Sequence, residues 1–222
     1  MAGEEVAALR LRTIQAHEWP GAVGVIHRAL FDEPFARQTY GESALARWGR
    51  SYEDYLALRR EHYSIALGAF AGTAVVGVVL ASLPRACRAC TGPSDTTPEG
   101  DTVAVMEWRY GCYRAAVHRA QPAHAWISKM TVEPPLHGLG IGRRLLGAVT
   151  ARLPAGFPVL LECETHRESF YLACGFRRVT TISDPSGADV LLLRRDTDED
   201  RTPAQRRPGE ELNAYRPAVR AR

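Results

Sequence analysis

Residues 124–153 read HAWISKMTVEPPLHGLGIGRRLLGAVTARL, and this stretch decides the fold. The residues from Trp126 to Val132 predict a buried strand, which must end at Pro134 and Pro135 because proline donates no hydrogen bond to a β-ladder. The segment that follows carries an apolar residue at every fourth position: Ile141, Leu145, Val149 and Leu153. This is the spacing of one helix face. The stretch therefore predicts a strand, a loop and an amphipathic helix.

The loop before this helix contains three alternate glycines, Gly138, Gly140 and Gly142. Glycine has no Cβ atom and lets a ligand approach the backbone closely, and the first N–H groups of a helix have no partner within it. A phosphate would therefore fit at this helix start. The spacing excludes a P-loop, which needs a lysine after its glycines, and the dinucleotide fingerprint G-x-G-x-x-G. The alternative is a loop whose glycines serve only the turn.

The composition is that of an ordinary globular protein, with 45% hydrophobic and 24% charged residues. A length of 222 residues predicts one domain, at residues 1–195, followed by a disordered charged tail at 196–222. The net charge of +3 is too small to indicate nucleic acid, so no such partner is expected. The first residues carry no apolar signal segment, which predicts a cytoplasmic protein.

One uncharged stretch, Ile65–Leu83, is long enough to raise the hypothesis of a membrane-spanning helix. Its valine pairs favour extended backbone, and Ala71-Gly72 supplies a turn at its centre. A buried β-hairpin therefore explains it better, and no membrane partner is expected. Elsewhere the patterns predict helices at 17–30, 42–62, 103–120 and 166–173 and strands at 9–14, 158–163, 176–182 and 190–193, with a turn at 185–187.

The five cysteines are expected to be free thiols in a reducing compartment. Cys87 and Cys90 have the C-x-x-C spacing of a zinc site. No second C-x-x-C and no H-x-x-x-H follows, so no metal is expected.

A second motif, Phe170 to Phe176 (FYLACGF), follows a short apolar strand that contains Leu160-Leu161-Glu162. This motif resembles motif B of the GNAT superfamily of N-acetyltransferases, and V-x-P-x-x-x-G-x-G-I-G-x-x-L-L around the glycine loop resembles motif A. The resemblance covers about Leu9–Arg195 and looks closest to the puromycin-type branch. It implies an α/β (α+β) fold in which a mixed, mostly antiparallel sheet is flanked by helices, and a splayed strand pair holds acetyl-CoA.

The resemblance also implies the chemistry: acetyl-CoA is the co-substrate, and the acceptor is a primary amine of a small molecule or peptide. Tyr171 is implied as the general acid. A homodimer is left open, and so is a catalytically inactive module that only binds CoA. The implied cofactor-binding residues are Met130, Thr131, Val132, His137, Gly138, Leu139, Gly140, Ile141, Gly142, Arg143 and Arg167.

Three positions depart from the family pattern. His137 stands where Gln or Arg is usual, and Arg167 stands where Asn is frequent. Trp126 occupies the approximate position at which some members carry a glutamate base, so the base is not inherited. The candidates for the base are His124, Glu107, Glu162 or a water chain.

Overall fold

The structure, a computed structural model, describes residues 9–30, 63–84, 87–93, 96–97, 99, 102–183 and 189–196. The predicted helix at 42–62, the turn at 185–187 and residues 197–222 of the predicted tail lie outside these ranges. The helices are α1 (Trp19–Leu30), α2 (Thr102–Arg119), α3 (Ile141–Thr150) and α4 (Glu168–Leu172). The strands are β1 (Arg10–Thr13), β2 (Ile65–Ala71), β3 (Ala74–Ser82), β4 (Ala125–Val132), β5 (Val159–Glu164), β6 (Arg177–Ser183) and β7 (Asp189–Arg195).

The described strands form one seven-stranded sheet in the order β1-β2-β3-β4-β5-β7-β6. Neighbouring strands run antiparallel except β4 and β5, which are parallel. That parallel pairing joins residues 125–127 of β4 to residues 159–161 of β5 and then stops, although both strands continue. The two strands therefore diverge from Ile127 onward and leave a gap in the sheet. This confirms the predicted fold class, a mixed and mostly antiparallel sheet flanked by helices.

Both faces of the sheet are covered because the central strands are apolar on both sides. Alternate residues of β3 face opposite ways, with Val79 in the same cluster as α3 and α4 and Leu80 in the cluster of α1. On β5, Leu161 faces α3 and α4, whereas Leu160 packs with residues of α2. The molecule thus has three layers: α3 and α4 on one face, the sheet, and α1 and α2 on the other.

The predicted hairpin is present as β2 and β3, which pair antiparallel from Ile65 to Ala81. Gly72 lies in the turn with φ of 60°, a left-handed conformation that favours glycine. No helix among the described residues has the length and hydropathy needed to cross a membrane. The uncharged stretch is therefore a buried hairpin, and its lack of charge follows from burial between two helical layers.

Candidate active site

The glycine loop joins the end of β4 to α3, as predicted. Gly138 and Gly140 have φ values of 80° and 78°, in the left-handed region, and Gly140 caps the start of α3. A Cβ atom added to either would meet no other atom within 4 Å, so conformation and not crowding requires glycine at both positions. Gly142 differs, because its Cβ would lie 3.4 Å from Cζ of Phe170. The space in front of the loop is open.

The backbone N–H groups of this loop have no backbone partner within the described residues. His137 donates to the Pro134 carbonyl, and the next backbone hydrogen bond along the chain runs from Arg144 to the Gly140 carbonyl, at 3.1 Å. The N–H groups from Gly138 to Arg143, which include those of Leu139, Ile141 and Gly142, lie between these two bonds. Because they stand at the positive end of the α3 dipole, they form a site suited to an anion.

The basic side chains around the loop differ in what they contact. The Nε2–H group of His137 donates to the Val132 carbonyl at 2.9 Å, which leaves its Nδ1 atom as the nitrogen facing away from that bond. Arg144 donates to the Leu9 carbonyl at 2.9 Å, so it also holds the residue before β1. Arg143 is exposed beside the loop, and Arg167 lies half-buried at the start of α4. Arg143 and Arg167 stay predicted as cofactor-binding residues.

The end of β4 forms one wall of the gap. Met130, Thr131 and Val132 pair with β3 on one edge. On the other edge, none of the strands that the structure describes lies beside them, because β5 has diverged. Met130 and Val132 are half-buried against the cluster that contains α3 and α4. Backbone N–H groups that face the gap are placed to stabilise charge on a ligand there.

Tyr171 lies on the same face of the sheet as the glycine loop. It is 8% exposed, and its ring makes edge contacts with Phe170 and Phe176, at centroid distances of 5.0 and 5.9 Å. Its carbonyl accepts hydrogen bonds from the N–H groups of Cys174 and Phe176 around Gly175, whose φ is 87°. The predicted glycine cap of this helix is therefore confirmed, and it holds the backbone of Tyr171 at the end of α4.

Two of the three candidate bases lie together on the opposite face, under α2. His124 is buried, its Nδ1–H donates to the Pro122 carbonyl at 2.7 Å, and its Nε2 faces the thiol of Cys87 at 3.2 Å. Burial lowers the pKa of His124, an effect that the Pro122 hydrogen bond opposes. The third candidate, Glu107, lies within α2, and its side chain is outside the described part of the structure.

Glu162 accepts hydrogen bonds from two residues of α2, Tyr110 and His118. Desolvation opposes its charge, but the hydrogen bond from His118 at 2.9 Å, the nearby Arg114 and the hydroxyl of Tyr110 at 2.7 Å together lower its pKa. Glu162 is therefore ionised at neutral pH. Both carboxylate oxygens of Glu162 accept hydrogen bonds from residues of α2. This geometry indicates a structural role, in which Glu162 connects β5 to α2.

Sequence reasoning missed one group in this region. His118, on the last turn of α2, lies beside His124, Cys87 and Cys90. Each of the four residues has one atom that could bind a metal, a cysteine Sγ or a histidine ring nitrogen, and these atoms all lie within 4.8 Å of one another. A signal was present in the sequence, because His118 and His124 form an H-x5-H pair after the C-x-x-C. The prediction considered only the shorter H-x-x-x-H spacing.

Comparison with known proteins supports the resemblance. A family model described as Acetyltransferase (GNAT) domain matches residues 99–178, which include α2, β4, the glycine loop, α3, β5 and α4. A sequence comparison with the curated proteins found no match.

Several solved structures share the fold. A structure described as histone acetyltransferase HPA2 and related acetyltransferase from Corynebacterium glutamicum has a TM-score of 0.61 at 17% identity, over 85% of this chain and 96% of that one. The structure of the mosquito arylalkylamine N-acetyltransferase-like protein 5b has a TM-score of 0.58 at 13% identity, over 84% of this chain and 99% of that one. The PaiA N-acetyltransferase of Thermoplasma acidophilum, solved in complex with coenzyme A, has a TM-score of 0.52 at 15% identity, over 85% of this chain and 98% of that one. The chain therefore has the GNAT fold, and its residues 99–178 match the GNAT acetyltransferase domain.

Proposed function

We propose that the protein is an N-acetyltransferase, which transfers the acetyl group of acetyl-CoA to a primary amine. One observation carries the proposal: an open glycine loop with unpaired N–H groups stands next to the gap between β4 and β5. The loop suits a pyrophosphate, and the gap suits an extended chain that reaches through the sheet. The acetyltransferase match at residues 99–178 supports the same assignment.

The anion site is supported by both shape and charge. Gly138 and Gly140 leave open space, and the N–H groups from Gly138 to Arg143 have no backbone partner among the described residues. Arg143 stands in the first turn of α3, where a positive side chain opposes the helix dipole. A bound pyrophosphate would turn this unfavourable interaction into a favourable one.

The transfer step requires an oxyanion donor and an acid. The neutral amine attacks the thioester carbonyl, and a backbone N–H among Met130, Thr131 and Val132 would stabilise the tetrahedral oxyanion. When the carbon–sulfur bond breaks, Tyr171 gives its phenolic proton to the CoA thiolate. Tyr171 and Met130 belong to one cluster on the loop side of the sheet, which supports the two roles acting on one ligand.

The amine must also lose a proton. His124 and Glu162 are engaged by other protein groups, so their geometry favours neither as the base. We assign this proton to water that enters the gap, with Glu107 as the protein alternative. The acceptor is a small-molecule or peptide amine, and the puromycin-type branch, the cytoplasmic location and the homodimer stay predictions.

The test combines CoA binding with a thiol-release assay on a panel of small amines and peptides, with products identified by mass. Wild-type protein is expected to bind CoA and to release thiol with at least one amine. Gly140→Ala should weaken CoA binding, because the methyl group enters the space of the phosphate and a left-handed alanine costs about 1 kcal/mol.

Gly147→Ala is the matched control, since Gly147 is exposed inside α3 with no atom within 4 Å of an added Cβ. That change should keep CoA affinity and stabilise the helix by about 0.5–1 kcal/mol. CoA binding without thiol release for any amine would favour the inactive binding module. A folded wild-type protein that does not bind CoA would contradict both proposals.

A further inference from the structure

Two cysteines and two histidines converge from three separate parts of the chain. Cys87 precedes a short 3-10 turn after β3 and Cys90 ends that turn, His118 lies in the last turn of α2, and His124 precedes β4. Their ligand-type atoms all lie within 4.8 Å of one another, and three of the four residues are buried. We propose that these four residues bind a structural Zn²⁺ ion.

The distances within the cluster fit a tetrahedral ion. Zn–N bonds of about 2.0–2.1 Å and Zn–S bonds of about 2.3 Å place ligand atoms roughly 3.3–3.8 Å apart. Here Cys87 Sγ lies 3.5 Å from His118 Nδ1 and 3.2 Å from His124 Nε2, and Cys90 Sγ lies 3.9 Å from His124 Nε2. The two histidine nitrogens are 3.1 Å apart. Each contact is within a few tenths of an ångström of what one ion would impose.

The hydrogen bonds on the outer side of each histidine decide where its proton lies. His124 Nδ1 faces the Pro122 carbonyl at 2.7 Å, and a carbonyl accepts hydrogen bonds but does not donate them. His118 Nε2 faces the Glu162 carboxylate at 2.9 Å, which is also an acceptor. Both outer nitrogens therefore carry hydrogen, and this orients the two inner nitrogens, His118 Nδ1 and His124 Nε2, toward the centre of the cluster, where each can bind a metal ion through its lone pair.

The two inner nitrogens are 3.1 Å apart, so one cation can bind both of them. The outer partners are also those typical of zinc-binding histidines, a carboxylate and a backbone carbonyl, which fix the tautomer and the ring orientation. Glu162 and Pro122 would thus support the ligands without touching the ion.

The donor set selects the metal and its role. Two thiolates and two imidazoles in a tetrahedral arrangement favour zinc over harder cations such as Mg²⁺ and Ca²⁺. Four protein ligands leave no position for water or substrate, which is typical of a structural site. The sequence pattern, C-x2-C followed by H-x5-H, also lies within the usual range for such sites.

The ion would connect the segment between β3 and α2 to the start of β4. Cys87, Ala89 and Trp126 form a small buried cluster, so the 3-10 turn already packs on β4. His118 adds the end of α2, and its partner Glu162 lies on β5. Zinc would therefore fix α2 over the one parallel strand pair of the sheet, where the gap begins.

The cluster can exchange metal with solvent. The four residues line a surface pocket of about 240 Å³ together with Arg119, Gln121, Pro122 and Ala123. Cys90 is the half-buried member of the cluster. A chelator therefore has a route to the ion in the folded protein.

The test is metal analysis of the full chain, purified without a histidine tag from cells grown with added zinc. About one zinc ion per chain is expected. Cys90→Ser should lower the zinc content at least about tenfold, and Cys112→Ser, which removes another half-buried thiol outside the cluster, should leave it unchanged. Glu162→Gln should weaken zinc binding by about 10–100-fold, the usual effect of losing such a hydrogen-bond partner.

A cobalt experiment keeps the proposal testable if Cys90→Ser fails to fold. Wild-type protein stripped of metal and titrated with Co²⁺ should show the visible bands of tetrahedral cobalt and a thiolate-to-cobalt charge-transfer band. Folded, fully reduced protein without zinc and without the charge-transfer band would overturn the proposal. Zinc that stays at the same level in Cys90→Ser would also overturn it, and so would a Cys87–Cys90 disulfide in freshly purified, alkylated protein.

Discussion

At the scale of single residues, the loop side and the α2 side of the sheet perform different tasks. The glycine loop and Tyr171 lie on one face, with open backbone N–H groups and a buried phenol. His124 and Glu162 lie on the other face, where protein groups engage both of them. The glycine loop and Tyr171, proposed for acetyl transfer, and the residues proposed for zinc are therefore separated by the sheet, and each set can be tested alone.

Tyr171→Phe tests the general acid. The ring and its contacts with Phe170 and Phe176 are kept, so CoA affinity and Tm should stay near the wild-type values. Loss of one general acid predicts a fall in kcat of about 10²–10⁴-fold. The measurement is thiol release at saturating acetyl-CoA, under conditions where chemistry limits the rate.

The control for this change is Tyr113→Phe, because Tyr113 is 59% exposed on α2. It should leave kcat, CoA affinity and Tm unchanged. If Tyr171→Phe behaves in the same way, the phenol only fills space and the thiolate takes its proton from solvent.

At the scale of elements, β1 is held to the start of α1 by an ion pair. Arg12 donates two hydrogen bonds to Glu18, at 2.7 and 2.5 Å, and its guanidinium stacks on the Phe70 ring at 3.6 Å. Glu18 also accepts the N–H of Gln15 at 2.8 Å, which caps the turn between the two elements. The hydrogen bonds from Arg12 and Gln15 lower the pKa of Glu18 to about 2.

This pKa predicts how the contribution of Glu18 to stability depends on pH. A carboxylate with a lowered pKa in the folded state stabilises above its unfolded pKa of about 4.3, and this contribution is lost as the pH falls toward about 2. Glu18→Gln should therefore lower the free energy of unfolding at neutral pH, by an amount that shrinks below about pH 4.

Urea unfolding of the wild type and Glu18→Gln across this pH range measures the difference. Glu99→Gln serves as control, since Glu99 is an exposed glutamate outside the helices and strands. A difference that keeps the same size down to about pH 3 would show that Glu18 stabilises through packing and not through its charge.

The sequence predicted the described elements well where apolar periodicity is strong. The hairpin, β4 and α3 were all predicted, because burial on both faces or on one helix face leaves a clear pattern. Gly138, Gly140 and Gly142 were predicted to lie in the loop and Gly175 to cap a helix. Gly138, Gly140 and Gly175 have positive φ, whereas Gly142 lies inside α3. The predicted region at 103–120 corresponds to α2, whose ends differ from the prediction by one residue.

What the sequence could not predict depends on contacts between distant segments. His118 and Glu162 are 44 positions apart, and the end of α2 must lie over β5 before they meet. The engagement of His124 likewise depends on Cys87, 37 positions away. A sequence pattern identifies residue types that suit a site, but the packing of α2 on the sheet decides which of them come together.

At the scale of the whole molecule, the gap between β4 and β5 divides the sheet into two parts. One part is β1 to β4, the other is β5 to β7, and in the sheet they are joined by only the three residue pairs of the parallel ladder. A ladder this short contributes little to cooperativity. The two parts should therefore open as separate units in native-state hydrogen exchange.

A ligand bound in the gap would contact both parts of the sheet and would therefore couple their opening. Bound CoA should then slow amide exchange in β6, three strands away from the glycine loop, as well as in the loop itself. Exchange mass spectrometry with and without CoA measures this, and slowing confined to residues 137–143 would mean that the two parts already open together. If CoA couples the two parts in this way, the sheet reaches its full cooperativity only with the co-substrate in place, and resistance to proteolysis would follow the supply of CoA.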